Sequence, residues 1–240
     1  MNSMPWHKQA AALWKKDIRA EMRTRVATGS MGVFALSALL LIALSMLSVK
    51  GVEYRDALGR LKPAWDDAGK MALLWTLLCF AAFTGLAHPF VHEEESGTSL
   101  ALRLYMSAEA VYAGKLLFNL TTLAAMMLVI TPAYMLLTGM NTGRLILFFP
   151  IMIGGCFGLG SVATVVAALA AKAKSSGALF GAIGLPILVV FLILLMQAAH
   201  LCYAGNATPI SIVKDVGGLV SFGVMIVALS AMLFHFIWDD

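Results

Sequence analysis

Long uncharged runs alternate with short charged segments along the whole chain. A helix needs about 20 apolar residues to cross roughly 30 Å of hydrocarbon, and the runs reach that length. The run from 175 to 213 exceeds one straight crossing and contains the turn formers Gly205, Asn206 and Pro209, so we end its helix at 199. The pattern predicts an all-α membrane protein with six transmembrane helices, at about 26–49, 71–91, 116–138, 145–171, 177–199 and 216–238.

The segment 5–25, ahead of the first run, has an amphipathic pattern. Its apolar residues recur at helical spacing and four basic residues lie on the opposite side, which predicts a helix in the membrane interface. Asp17 and Glu21 fall on the apolar flank, where pairing with Arg25 at i,i+4 steps is the expected compensation. The alternative is an ordinary charged flank that anchors the first crossing. The apolar set is Trp6, Ala10, Leu13, Trp14, Ile18 and Met22, and the basic set is Lys8, Lys15, Arg19 and Arg23.

Charge placement predicts the orientation of the chain. Only 12% of its 240 residues are charged and 60% are hydrophobic, so lipid is the expected solvent. Six crossings put ten Lys and Arg on the amino-terminal side (six before 26, two from 92 to 115, two from 172 to 174) and seven on the other side. Both termini are therefore expected in the cytoplasm. The net charge of +4 suits an anionic lipid surface, and no basic-aromatic patch indicates a nucleic-acid partner.

The segment 93–113 is the sizeable cytoplasmic connection in this topology. An acidic cluster opens it, leucines follow, Ser107 resembles a helix N-cap, and Lys115 marks the return to lipid. We interpret the segment as a docking surface for a partner; the alternative is that the acids only solvate the end of a helix. The candidate docking residues are Glu93, Glu94, Glu95, Gly97, Leu100, Leu104, Ser107 and Lys115.

The sequence lacks the residue patterns that ion-coupled transport, ATP binding and catalysis require. The six runs contain no Asp, Glu, Lys or Arg, which argues against a proton- or sodium-coupled pump. Neither Gly69-Lys70 nor Gly114-Lys115 fits a phosphate-binding loop, so any ATPase is expected on a separate chain. No catalytic arrangement is found, and a non-catalytic subunit is predicted. His200 is a candidate axial heme ligand, with an interface histidine that only hydrogen-bonds as the alternative. Small residues at i,i+4 spacing predict close helix packing at Gly154, Gly158, Gly177 and Gly181.

A combination of motifs resembles the heme exporter protein B family of cytochrome c maturation. The acidic cluster, the leucines and the later Gly-Lys pair also resemble the wider class of ABC-2 type permeases. The likeness extends over most of the chain and is carried by Ala72-Leu73-Leu74-Trp75, Phe80-Ala81-Ala82-Phe83, Glu94-Glu95-Ser96-Gly97-Thr98, Gly114-Lys115-Leu116-Leu117-Phe118-Asn119, Ala167-Ala168-Leu169-Ala170-Ala171-Lys172-Ala173-Lys174 and Trp238-Asp239.

This resemblance implies a single ABC-2 type transmembrane domain over 1–240, located in a bacterial inner membrane. It implies a homodimer that pairs with an ATP-binding cassette subunit, a heme-handling membrane subunit and a small accessory subunit. The segment 93–113 would be the coupling region that contacts the ATPase, and 5–25 the elbow helix. Heme would be the ligand moved or handled, with ATP bound by the partner. Two alternatives stay open: a scaffold that releases heme from a partner without carrying it, and a permease for lipid, glycan or drug.

Overall fold

Seven helices and one short hairpin make up the described part of the chain. The computed structural model describes residues 5–49, 51, 53–55, 61–63, 65–86, 93, 105–172, 176–203 and 208–239. For 54–55, 61–63, 170–172, 176–183, 185, 233 and 235–239 it describes the backbone alone. The elements are α1 (Trp6–Thr24), α2 (Val26–Ser48), β1 (Glu53–Arg55), β2 (Leu61–Pro63), α3 (Asp67–Gly85), α4 (Ala108–Thr138), α5 (Leu145–Lys172), α6 (Ser176–His200) and α7 (Pro209–Asp239).

Five of these helices are long and apolar enough to cross a membrane, judged over the residues that the structure describes. They are α2, α3, α4, α5 over Leu145–Leu169 and α7 over Pro209–Met232. Large apolar side chains cover their outer faces, including Leu41 of α2 and Leu136 of α4, which are 70% and 85% exposed. A water-soluble monomer rarely exposes so much apolar surface. The fold therefore fits a multi-pass helical membrane protein.

Local signals set the helix boundaries. Asp66 caps α3, its carboxylate accepting a hydrogen bond from the Gly69 amide at 2.8 Å, and Ser107 caps α4 by accepting from the Ala110 amide at 3.3 Å. The cap at Ser107 agrees with the prediction from the sequence. Because the helix continues without a break from this cap, α4 begins at Ala108 and not at the predicted 116, and Lys115 lies inside the helix. Helix α7 likewise begins at Pro209 rather than 216, because proline suits the first position of a helix.

The hairpin was not anticipated from the sequence. Strands β1 and β2 pair antiparallel, with Glu53 opposite Pro63 and Arg55 opposite Leu61. They lie in the charged connection between α2 and α3, which the hydropathy pattern had left without structure. The alternation in three-residue strands is too short to register as a sheet signal.

The helices pack around one main core. Trp75 of α3, Tyr134 of α4 and Phe191 of α6 are fully buried in it. A smaller cluster lies at the end of the bundle beside α1, where Leu13, Tyr112, Ala167 and Phe234 meet. We call this the α1 end and the opposite one the far end. Helix α6 runs between them: Gly184 lies against Phe83 and Val166 near the α1 end, and Tyr203 bonds to the Asn141 carbonyl at the far end.

Candidate functional site

Helix α1 lies directly on the first half of α4. A Cβ at Gly114 would be 3.0 Å from both the Ala10 carbonyl oxygen and Leu13 Cδ2, so the absence of a side chain at Gly114 permits the close approach. The Trp14 indole N–H donates to Thr121 Oγ1 at 3.2 Å. At the helix start, the Ser107 amide donates to Gln9 Oε1, also at 3.2 Å. Part of the apolar stripe of α1 thus faces protein, while Trp6 and Met22 stay exposed.

Four charged side chains form a closed ring at this contact. Lys115 Nζ lies 2.9 Å from Asp17 Oδ2 and 2.8 Å from Glu93 Oε2. Lys16 Nζ lies 2.6 Å from Glu93 Oε1 and 3.2 Å from Asp17 Oδ1. Each cation therefore contacts both carboxylates, and the formal charges sum to zero. We call Lys16, Asp17, Glu93 and Lys115 the ionic ring.

Three of the four side chains of the ionic ring are withdrawn from solvent. The Lys115 side chain is 1% exposed, Asp17 7% and Glu93 12%, whereas Lys16 is 53% exposed. Removing such charges from water is costly unless each is paired, and here each is paired twice. Burial alone lowers the pKa of Lys16, but its hydrogen bond to Glu93 and the nearby Asp17 and Glu93 charges outweigh this and raise that pKa. The ring joins α1, α4 and the start of the predicted coupling segment.

Glu21, the second acid on the buried side of α1, caps the next helix. Its carboxylate accepts hydrogen bonds from the Thr28 amide and the Thr28 hydroxyl, both at 2.7 Å, and from the Ala27 amide at 3.3 Å. Arg25 sits between the two helices with φ of 54°, in the left-handed region. The expected i,i+4 pairing of Asp17 and Glu21 with Arg25 is thus replaced: Asp17 pairs with lysines and Glu21 with backbone donors.

A polar stripe on α4 extends the ring into the bundle. Asn119, one turn beyond Lys115, is buried and its amide donates to Thr164 Oγ1 of α5 at 2.9 Å. The Thr164 hydroxyl in turn donates a hydrogen bond to the Gly160 carbonyl of its own helix at 2.6 Å. The bond between Asn119 and Thr164 fixes the register of α4 against α5 one turn beyond the ionic ring.

The far end has a separate polar cluster. The Tyr134 hydroxyl donates to the Lys70 carbonyl at 2.8 Å, and Tyr203 donates to the Asn141 carbonyl at 2.7 Å. Lys70 Nζ lies 3.4 Å from Asp67 Oδ1 in a partly exposed pair. Burial first, and then the charge of Asp67, raises the pKa of Tyr203. These bonds tie the turns between helices together.

Gly143 allows this end to close. Its φ is +63°, and a Cβ there would overlap with the Cys202 carbonyl oxygen, so the position needs glycine both for conformation and for space. The Arg144 amide donates to that same Cys202 oxygen at 3.1 Å. The turn before α5 is thereby fixed to the end of α6.

Three of the predicted docking residues fall in the described part of the chain, and the structure brings two of them together. Glu93 and Lys115 share the ionic ring, and Ser107 is the α4 cap. The other five, Glu94, Glu95, Gly97, Leu100 and Leu104, lie outside the described residues.

The remaining predicted residues lie elsewhere. His200 is exposed at the far end, in a shallow pocket shared with Gln197, Lys214 and Asp215. Gly154 packs at ordinary distance on Leu219 of α7, and a Cβ at Gly158 would overlap with the Phe191 ring of α6. Gly177 and Gly181 lie in α6 where the backbone alone is described. Within the described ranges, no group of three His, Cys, Asp or Glu side chains is placed to hold a metal ion.

No protein-family model matches the sequence, and a search of curated proteins finds no significant match.

Proposed function

We propose that this chain is the membrane subunit of an ATP-driven transport complex of the ABC type, whose ATPase is a separate protein. The observation that carries the proposal is the ionic ring. It joins the amphipathic helix α1, the first glutamate of the acidic segment and α4 through ion pairs of 2.6–3.2 Å. A force applied to that segment would reach α1 and α4 together.

The burial of the ring supports this coupling role. Separating Glu93 from Lys115 would remove one partner from each of two charges that are withdrawn from solvent, which opposes independent motion of the segment and the helix. In the proposed cycle, closure of the ATPase moves 93–113, and α4 shifts against α5 with it. The ATPase must contact the two arrangements differently to drive the shift.

A six-crossing topology with an ABC-2 type fold is part of the proposal, as are a homodimer and cytoplasmic termini in a bacterial inner membrane. The course of α6 from Gly184 at the α1 end to Tyr203 at the far end supports a sixth crossing. The basic residues before α2 support a cytoplasmic amino terminus.

Heme is the proposed ligand, delivered for c-type cytochrome assembly together with a heme-handling membrane subunit and a small accessory subunit. This choice rests on the sequence motifs alone. Lipid, glycan or drug as the cargo of an ABC-2 type permease is the corresponding alternative.

A second candidate function is a scaffold whose movement releases heme from a neighbouring subunit. The filled interior of the described bundle favours it. Cβ atoms at Gly155, Gly158 and Gly160 would overlap with or crowd Trp75, Phe191 and Leu120, so these side chains already occupy the space between helices. A cargo would have to pass outside this bundle, for example between two copies.

Purification of the tagged chain from gently solubilised membranes tests the proposal. We expect a stoichiometric ATP-hydrolysing subunit to co-purify, and charge reversal at Glu94 and Glu95 to reduce its recovery while insertion stays intact. Lys70→Gln, which alters the ion pair at the far end, is the matched control and should leave recovery unchanged. Absence of any ATPase contradicts the proposal, and unchanged recovery with the reversed acids contradicts the assigned docking segment.

Reconstitution separates transporter from scaffold. The chain and its ATPase are placed in liposomes with heme outside, and ATP-dependent heme accumulation inside is measured. Accumulation supports export; active hydrolysis without accumulation favours the scaffold.

A further inference from the structure

The outward face of α1 carries a row of exposed basic side chains. Spacings of seven, four and four residues place them in line on a helix of about 3.6 residues per turn. The row is about 22 Å long at a rise of about 1.5 Å per residue. Leu13 and Asp17 belong to the opposite face of the helix, which is buried. The exposed set, which we call the basic row, is Lys8, Lys15, Arg19 and Arg23.

Both acidic side chains of α1 lie on the buried face, away from the basic row. Asp17 pairs with Lys16 and Lys115 in the ionic ring. Glu21 accepts hydrogen bonds at the start of α2. Among the residues that the structure describes, no ion pair includes a member of the basic row. The described part of the chain thus leaves four exposed positive charges without an acidic partner.

The hydrogen bond between Trp14 and Thr121 places the basic row at the edge of the hydrocarbon. Thr121 is exposed on the same face of α4 as Leu117 and Leu128, which are 43% and 77% exposed. On a membrane helix such a face meets lipid. Tryptophan is typical of the level where hydrocarbon gives way to headgroups. Because Lys15 follows Trp14 directly in α1, the row lies at the headgroup level.

The charge and the position of the basic row define its occupant. Anionic phospholipids present negatively charged phosphate groups at this level, and arginine binds phosphate oxygens through two parallel hydrogen bonds. Apolar side chains border the row: Met22 is 72% exposed and Ile18 is partly exposed. A phospholipid offers a phosphate for the row and an acyl chain for these neighbours. An acidic protein surface would match the charges alone.

We propose that the basic row of α1 binds anionic phospholipids of the adjoining leaflet through their phosphate groups. Ala10 and Leu13 are buried against Gly114 of α4, so this part of the apolar stripe is not available for insertion into lipid. Charge therefore holds the lipid to α1, and the binding depends on salt. The proposal needs neither an ATPase nor heme, so it holds or fails independently of the proposed function.

Photolabelling of the full chain in liposomes tests the row. Phosphatidylglycerol and phosphatidylcholine probes carry the same diazirine in the acyl chain close to the headgroup, and labelled residues are located by mass spectrometry. We expect phosphatidylglycerol to label α1 in excess of phosphatidylcholine. Arg19→Gln should reduce the excess about fivefold, the contribution of one basic residue near an anionic surface, and Arg19→Lys should retain it. The excess should also shrink in about 1 M salt, where the Debye length is about 3 Å.

Lys214→Gln is the matched control. It removes another exposed cation, at the far end, and should leave the labelling of α1 unchanged. Equal labelling of α1 by the two lipids would overturn the proposal, as would an excess that Arg19→Gln and Arg23→Gln together leave unchanged. If the lipids label equally and this double variant instead loses a co-purifying protein, the basic row is a protein-docking surface and the lipid assignment is wrong.

Discussion

Lys115 is the residue on which the ionic ring depends, because it is the buried cation that contacts both carboxylates. Lys115→Met keeps the length of the side chain but leaves Asp17 without its buried partner, and breaking a buried pair costs about 3–5 kcal/mol. We expect a clear loss of melting temperature in detergent. Lys70→Met, which removes a partly exposed pair at the far end, should cost about 0–1 kcal/mol.

A double variant shows whether the loss comes from the pair. Asp17→Asn combined with Lys115→Met removes both charges of the Asp17–Lys115 pair, so its destabilisation should be smaller than the sum of the single changes. Simple additivity would mean that the two side chains do not interact.

Lys16 gives the ring a dependence on alkaline pH. Its folded-state pKa is raised above the ordinary 10.5, so the charged amine is favoured in the folded protein. The stabilisation is therefore fully present below about pH 10.5 and is lost as the pH rises through the raised value. The difference in melting temperature between wild type and Lys16→Gln should be constant near neutral pH and shrink above pH 10.5.

Lys15→Gln is the matched control for this experiment. Lys15 is an exposed neighbour on the same helix, and removing its charge should have a small effect at every pH. If the Lys16→Gln difference does not vary with pH, its amine does not stabilise the fold through the ring.

At this scale the sequence predicted some members of the site and not its geometry. Glu93, Ser107 and Lys115 drew attention through local patterns, namely an acidic cluster, a capping signal and a cation beside an apolar run. The role of Asp17 was missed although its place on an apolar flank was the available signal. Its partner is 98 residues away along the chain, and only the packing of α1 on α4 brings the two together.

At the scale of helices, two glycines offer a sharp contrast. A Cβ at Gly158 would overlap with Phe191, so Gly158→Ala should push α5 from α6 and cost about 1–3 kcal/mol. Gly217 of α7 has nothing within 4 Å of the same position. Gly217→Ala should therefore stabilise the helix by up to about 1 kcal/mol, the propensity difference between the two residues. Opposite shifts in melting temperature are expected, and equal effects would contradict the described α5–α6 contact.

Helix existence was easier to predict than helix ends. Hydropathy located α2 within one residue at each end, because both ends coincide with a change from charged to apolar sequence. Helix α4 starts eight residues before the predicted 116, since the Ser107 cap and the α1 contact keep polar residues such as Lys115 helical and buried. A hydropathy pattern counts such residues as outside the membrane, although neighbouring protein can shelter them.

For the whole molecule, the number of membrane crossings can be tested by finding on which side of the membrane each end of the helix bundle lies. Asn141, between α4 and α5, and Thr208, before α7, are both exposed near the far end, whereas Lys8 is exposed on α1. With Cys79, Cys156 and Cys202 replaced by serine or alanine, single cysteines at 141 and 208 should react with an impermeant maleimide added to intact cells. A cysteine at Lys8 should react only after the cells are opened. Helix α5 separates position 141 from the connection after α5, and α6 separates that connection from position 208. If 141 reacts from outside but 208 reacts from the same side as Lys8, α6 does not cross the membrane and the sixth span is wrong.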